Sequence, residues 1–305
     1  LNYMDIRDAF FLALTERCRT DPSVVVLTAD MGSMVLDALR SEIPERVINV
    51  GIAEQNMVNV AAGLALAGMR PVTYAISAFM TARCLEQIKT ALCHMHLSVA
   101  IVGSGPGICY PTDGPSHHAL EDYALMRALP GMTILTPSDA LTATASATLA
   151  FQGGPVYIRL DKGTLPNLAA SPNAPVRLIL EGKDLIIISC GLMTHTALES
   201  AHSLREQGVE AGVIDVFQGW PLLGDHLLEA IGSARYLIVI EEQRPAGGLG
   251  SAVAECLADA GRMIPIRRFA IDNVAWGRHG SREWLAQQFG LDVPNVVKEC
   301  LRWLR

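Results

Sequence analysis

Charge and aromatic side chains are scarce in this chain of 305 residues: 18% of residues are charged and 6% aromatic, against 50% hydrophobic. So little charge excludes a disordered or polyelectrolyte segment. Long apolar runs are also missing. None reaches the roughly 18 residues that a helical membrane span requires. The longest candidate, Met57 to Met69, is rich in Ala and Gly and stops at Arg70-Pro71, so it reads as a buried helix. No membrane partner is expected. The formal net charge is −7, which argues against a general binder of phosphate backbones, so no nucleic acid is expected either. Seven cysteines are scattered without a Cys-x-x-Cys pair, which argues against a disulfide framework or a zinc site. Nothing at Leu1-Asn2-Tyr3-Met4 reads as a secretory signal, and reduced thiols in the cytoplasm are the expected state. The mean hydropathy of +0.29 is high for a chain without a span, and large subunit interfaces are its expected destination.

Short β-branched runs alternate with helical spacing. Val24–Leu27, Val47–Val50, Val72–Ile76, Val99–Val102, Thr133–Thr136 and Val156–Leu160 read as strands. Arg7–Arg19, Glu54–Ala67, Ala82–Cys93 and Glu121–Leu129 read as helices between them. This alternation predicts an α/β fold with mostly parallel sheets, doubly wound. Pro166, Pro172 and Pro175 mark a crossover, after which strands are expected at 185–189, 213–216, 236–241 and 266–270. Two domains follow, 1–165 and 184–305, joined by a linker over 166–183.

Three motifs stand where chemistry is possible. In Val50-Gly51-Ile52-Ala53-Glu54-Gln55-Asn56 a strand ends and a helix opens. Glu54 there either complements the helix dipole or is a carboxylate in an apolar surround, which keeps a proton more readily and can exchange it with a bound heterocycle. In Pro111 to Asp122 a glycine-rich loop leads to a helix, with adjacent His117 and His118 pointing different ways. Asp113 and His117 suit substrate hydroxyls, while Ser116 could simply cap the helix. Gly247-Gly248-Leu249-Gly250 lacks the spacing of a dinucleotide fingerprint and any P-loop lysine, and reads as tight strand–helix packing. Gly63 and Gly68 with Ala61, Ala62, Ala65 and Ala67 form a small-residue face expected at an interface.

Taken in order, four motifs resemble the pyrimidine-binding and C-terminal domains of the thiamine diphosphate-dependent transketolases. They are Gly51–Asn56, Phe79-Met80-Thr81-Ala82-Arg83 leading to Gln87-Ile88, Asp113–His117, and Gly154–Arg159. The resemblance spans the whole chain. It implies that Glu54 bonds the ring nitrogen of the cofactor's aminopyrimidine and favours its imino tautomer, with Glu54 and His117 as catalytic residues. Phe79 would stack on the pyrimidine; Ile76 stands where the family has a second aromatic, and Arg83 lies beside the cofactor. Asp113, His117, Arg7, Ser33, Lys162 and Arg159 would meet a ketose substrate, expected to be phosphorylated. Gly105 replaces a family histidine, Lys162 a phosphate-binding arginine, and His118 a common glutamine. The Gly-Asp-Gly motif that holds diphosphate and Mg²⁺ is missing, since the only Gly-Asp is Gly224-Asp225-His226. The resemblance therefore implies one subunit of a split transketolase, in an α₂β₂ heterotetramer with a diphosphate-binding partner. The β subunit of a 2-oxo acid dehydrogenase, a 1-deoxyxylulose 5-phosphate synthase-like carboligase, and a non-catalytic nucleotide-binding or scaffold subunit are the alternatives.

Overall fold

Five-residue apolar runs become strands here because helices cover both faces of each sheet, so every side chain along the strand is inside. The computed structural model describes residues 4–32, 34–168, 170–272 and 278–304. Its strands are β1 (Val24–Thr28), β2 (Val47–Asn49), β3 (Arg70–Ile76), β4 (Ala100–Ser104), β5 (Thr133–Leu135), β6 (Val156–Leu160), β7 (Arg177–Leu180), β8 (Leu185–Ser189), β9 (Ala211–Asp215), β10 (Gln218–Trp220), β11 (Tyr236–Ile240) and β12 (Ile266–Phe269). They form a seven-stranded sheet in the order β10-β5-β6-β4-β3-β1-β2 and a five-stranded sheet in the order β12-β11-β8-β9-β7. All pairings are parallel except the two edge pairs, β10 with β5 and β7 with β9.

The helices are α1 (Ile6–Thr20), α2 (Met34–Glu42), α3 (Glu54–Leu66), α4 (Ser77–Thr81), α5 (Leu85–Gln87), α6 (Asp122–Arg127), α7 (Ala140–Leu149), α8 (Met193–Arg205), α9 (Gly224–Ile231), α10 (Leu249–Asp259), α11 (Arg282–Phe289) and α12 (Val293–Leu304). On one face of the first sheet, α1 and α7 pack Phe10, Phe11, Leu14 and Ala143 against Val24, Val26, Val72 and Tyr74. The Phe11 and Tyr74 rings meet edge-on at 4.7 Å. On the other face, α3 contributes Met57, Val58 and Ala61. Among the described residues no helix is long and apolar enough to cross a membrane.

Several expectations need correction. Ala82–Cys93 is not one helix: α4 ends at Thr81, α5 is a single turn, and Ile88–Cys93 winds more widely as a π-helix. Strand β7 forms inside the segment read as a linker, and β10 leaves the second half of the chain to edge the first sheet. The small-residue face is divided: Ala61 and Ala62 point into the core, while Gly63, Ala67 and Gly68 are exposed.

The two sheets are clamped by a buried guanidinium. Arg177, at 0% exposure, donates from Nη1 to Asp215 Oδ2 at 2.9 Å and to Ser138 Oγ at 3.0 Å, and from Nη2 to Asp139 Oδ2 at 3.1 Å. A buried charge persists only with such partners. Burial pushes the Asp215 carboxyl up to about 6, with Arg177 opposing.

Candidate active site

Side chains for chemistry collect where the strands of the first sheet end, the usual crevice of open parallel sheets. The connection after β2 delivers Glu54, the end of β3 delivers Ile76 and the connection after it Phe79, that after β4 delivers Gly105, Tyr110, Asp113 and His117, and that after β6 delivers Asp161 and Lys162. Because β6, β4, β3, β1 and β2 are neighbours in that order, these connections line one edge.

The cofactor end is built around Glu54, the first residue of α3, which is 4% exposed. Its surround is not wholly apolar, as the sequence suggested. Arg83 donates from Nη1 to Glu54 Oε2 at 2.8 Å, and its guanidinium carbon lies 4.3 Å from the Phe79 ring centroid. A planar, nitrogen-bearing group thus already sits over Phe79 and bonds Glu54. That donor set and stacking face fit the aminopyrimidine of thiamine diphosphate. Arg83 is exposed, so its side chain can swing aside. Ile76 is half-buried at the end of β3.

From Phe79 a row of rings leads away. His117 stands edge-on to Phe79 at 4.9 Å and to Tyr110 at 6.0 Å. Its Nδ1 lies 3.0 Å from Ser116 Oγ, so Ser116 serves the histidine and does not cap α6, which begins at Asp122. Asp113 is exposed beside this row. The row ends at Lys162, whose Nζ is 3.8 Å from the Tyr110 centroid. Arg7 is half-buried beneath, with Nε 3.6 Å from Asp8 and its guanidinium against the Tyr74 phenol. Burial pushes that phenol up to about 12, with Ser104 and Arg7 opposing. Ser33 lies outside the described residues.

The two histidines do diverge. His118 is 6% exposed, and burial holds its pKa below the usual imidazole range, so it stays uncharged. Arg159, expected beside substrate, is a correction. It is 6% exposed, donates from Nε to Asp122 Oδ2 at 2.7 Å, and reaches the carbonyl oxygens of Ala119 and Glu242. Asp122 also accepts from Tyr157 Oη at 2.8 Å. Arg159 is thus committed to a buried ion pair with Asp122.

Sequence reasoning missed a link from the second half of the chain. Arg282, which opens α11, donates to both oxygens of Asp161 at 2.9 and 2.7 Å and to both oxygens of Glu242 at 3.1 and 2.6 Å. Burial works against its charge, but the two carboxylates outweigh it and hold its pKa well above the ordinary range. Glu242 also accepts from the Ile108 N–H at 3.3 Å. One guanidinium therefore ties down the residue before Lys162 and the loop that carries Tyr110. No motif announces such a contact across 121 residues of chain.

The second sheet's edge is arranged differently. Glu241, after β11, accepts from the N–H groups of Leu249 at 2.6 Å and Gly250 at 3.1 Å, at the start of α10. The glycine-rich loop does cradle an anion, but the anion is the chain's own carboxylate. A Cβ on Gly248 would collide with Glu241 Oε2. The nucleotide-binding alternative loses its support.

Comparison with known proteins accords with this geometry. Residues 2–167 match the family described as transketolase, pyrimidine binding domain, and residues 175–296 match transketolase, C-terminal domain. A 6-deoxy-6-sulfo-D-fructose transketolase subunit from Clostridium sp. (strain MSTE9) is 33% identical, covering 96% of this chain and 92% of that protein. An apulose-4-phosphate transketolase subunit from Phocaeicola vulgatus is 32% identical over 100% of this chain and 99% of that one. A solved structure described as a split gene transketolase, inactive beta4 tetramer, superposes with a TM-score of 0.87 at 34% identity, covering 99% of this chain and 98% of that one. With both halves of its length matched and its strand-end residues assembled on one edge, the chain belongs to the transketolase family.

Proposed function

We propose that this chain is one subunit of a two-chain transketolase that moves a two-carbon ketol unit from a ketose to an aldehyde. The observation that carries the reading is the row Glu54–Arg83–Phe79–His117–Tyr110–Lys162, which joins a heterocycle-binding end to a cationic end. Thiamine diphosphate, when bound, supplies the carbon nucleophile for carbon–carbon bond cleavage. Glu54 would bond the pyrimidine ring nitrogen and hold the proton there, and Phe79 would take the ring's face. His117 and Asp113 would orient substrate hydroxyls, with the His117 ring able to exchange protons with them.

The diphosphate and Mg²⁺ fall to a partner subunit. The sequence has no Gly-Asp-Gly. The rim beside Glu54 also favours a covering chain, because Ile52 is 79% exposed there. An α₂β₂ assembly in the cytoplasm fits that rim and the seven free cysteines.

Reconstitution tests the reading. The chain is mixed with a candidate Gly-Asp-Gly subunit, and transfer from a ketose to an aldehyde is assayed with thiamine diphosphate and Mg²⁺. Transfer that requires both chains supports the proposal, whereas transfer by this chain alone overturns the division of labour. 1-Deoxy-D-xylulose-5-phosphate synthase from Thermomicrobium roseum is 33% identical, with this chain spanning 48% of its length. Condensation of pyruvate without ketose cleavage would move the reading to that chemistry.

A further inference from the structure

Gly105 has φ +69°, and a Cβ built on it would collide with Tyr110 Cε2 and lie 2.9 Å from Cδ2. The Tyr110 ring therefore occupies the space into which a side chain at position 105 would project. Over this ring sits Lys162 Nζ, 3.8 Å from the centroid. Lys162 makes no ion pair among the described residues, because the neighbouring Asp161 is taken by both nitrogens of Arg282. Among the described residues the buried hydroxyl of Tyr110 has no hydrogen-bond partner. The Tyr74 phenol feels Ser104, Arg7 and Tyr110, so these groups form one cluster. Buried donors left unpaired lower stability unless something meets them. Two cations and three hydroxyls suit a tetrahedral oxyanion.

We propose that Tyr110 is the specificity-determining residue at the far end of this site. Its ring takes the volume that Gly105 leaves and steers the Lys162 ammonium, and its hydroxyl joins that ammonium in binding a terminal phosphate or sulfonate on the substrate. The assignment rests on the transketolase reading, since the row places the reacting end at Glu54 and Phe79. A ring-borne ammonium is a point charge with a defined position, held by attraction to the aromatic face. The terminal group is thereby read by one directed cation and one phenol.

The test compares Tyr110→Phe, which removes only the hydroxyl, with Tyr110→Ala, which removes the ring. In the reconstituted enzyme, kcat/KM is measured for glyceraldehyde, glyceraldehyde 3-phosphate and the corresponding sulfonated aldehyde. Tyr110→Ala is expected to lower the charged-to-neutral ratio about tenfold or more, mostly through KM, and Tyr110→Phe by about threefold. The arm in which that ratio falls further, phosphate or sulfonate, identifies the natural terminal group. Independently of turnover, phosphorus NMR line-broadening of methyl phosphate is followed on this chain alone, with methanesulfonate as competitor. Broadening that is lost in Tyr110→Ala supports the assignment. A ratio unchanged in both variants, or broadening that survives removal of the ring, overturns it. Failure of every aldehyde to react would instead reject the transketolase reading, and the line-broadening result would still decide the role of Tyr110.

Discussion

The two sheets present similar edges with opposite chemistry. Each has a glutamate beside a glycine-containing turn where a helix begins: Glu54 at α3 and Glu241 near α10. Both are buried. Glu241 is consumed from within, by two backbone N–H groups of the helix it faces. Glu54, among the described residues, accepts from the guanidinium of an exposed arginine. The same doubly wound architecture thus yields a closed edge where a carboxylate is matched by backbone and a receptive one where it is matched by a movable side chain. The difference lies in partners, because burial is nearly equal.

The largest expected contrast is between the two glutamates themselves. Glu54→Gln should lower transfer by the reconstituted enzyme about a hundredfold or more while leaving the melting temperature near that of the parent chain. Glu241→Gln should show the reverse, a lower melting temperature with turnover of the folded enzyme retained. Equal loss of activity in both variants would erase the distinction between a receptive and a closed edge.

Next in size is the bolt between the edges. Arg282→Gln leaves Asp161 and Glu242 buried without their cation, and denaturant melts should show a loss of about 3 kcal/mol. The acceptor KM should rise as well, because Lys162 follows Asp161. Arg282→Lys should recover part of both effects. A variant that is destabilised with KM unmoved would confine Arg282 to holding the sheets together.

The smallest effect is a slope with pH. Burial pushes the Glu241 carboxyl up to about 7 from 4.5, against the pull of the Gly250 and Leu249 N–H groups. Between those values the folded chain keeps a proton that the unfolded chain releases. Stability must therefore fall as pH rises through that window. Melting temperatures across it should fall less steeply in Glu241→Gln than in the parent, with Asp215 acting in the same direction as Glu241. Identical slopes would mean that Glu241 titrates normally.

What was legible in the sequence follows the same division. Strands such as β1 and β6 announce themselves because a fully buried parallel strand must be apolar at nearly every position. Glu54 drew notice as a charged residue opening an apolar helix, whereas Phe79 entered only through the family resemblance. Strand β10 was not legible, since Gln218-Gly219-Trp220 pairs through its backbone and carries no periodic pattern. Arg159 was misread because a motif shows which residue is present and not the direction it faces. Asp122, which captures it, comes from a different connection. Tyr110 was invisible until the emptiness of Gly105 acquired a neighbour.

The crossing of β10 has a consequence for how this chain can be cut. Thr136 Oγ1 donates to the Val216 carbonyl at 2.6 Å and β10 lies along β5, so the first sheet borrows its last strand from the second half. A fragment ending at the crossover would leave β5 as a bare edge, a template for pairing with other chains. Expression of residues 1–165 alone should therefore give aggregates. The seam at the prolines divides the sequence, but the material on either side folds as one interlocked piece.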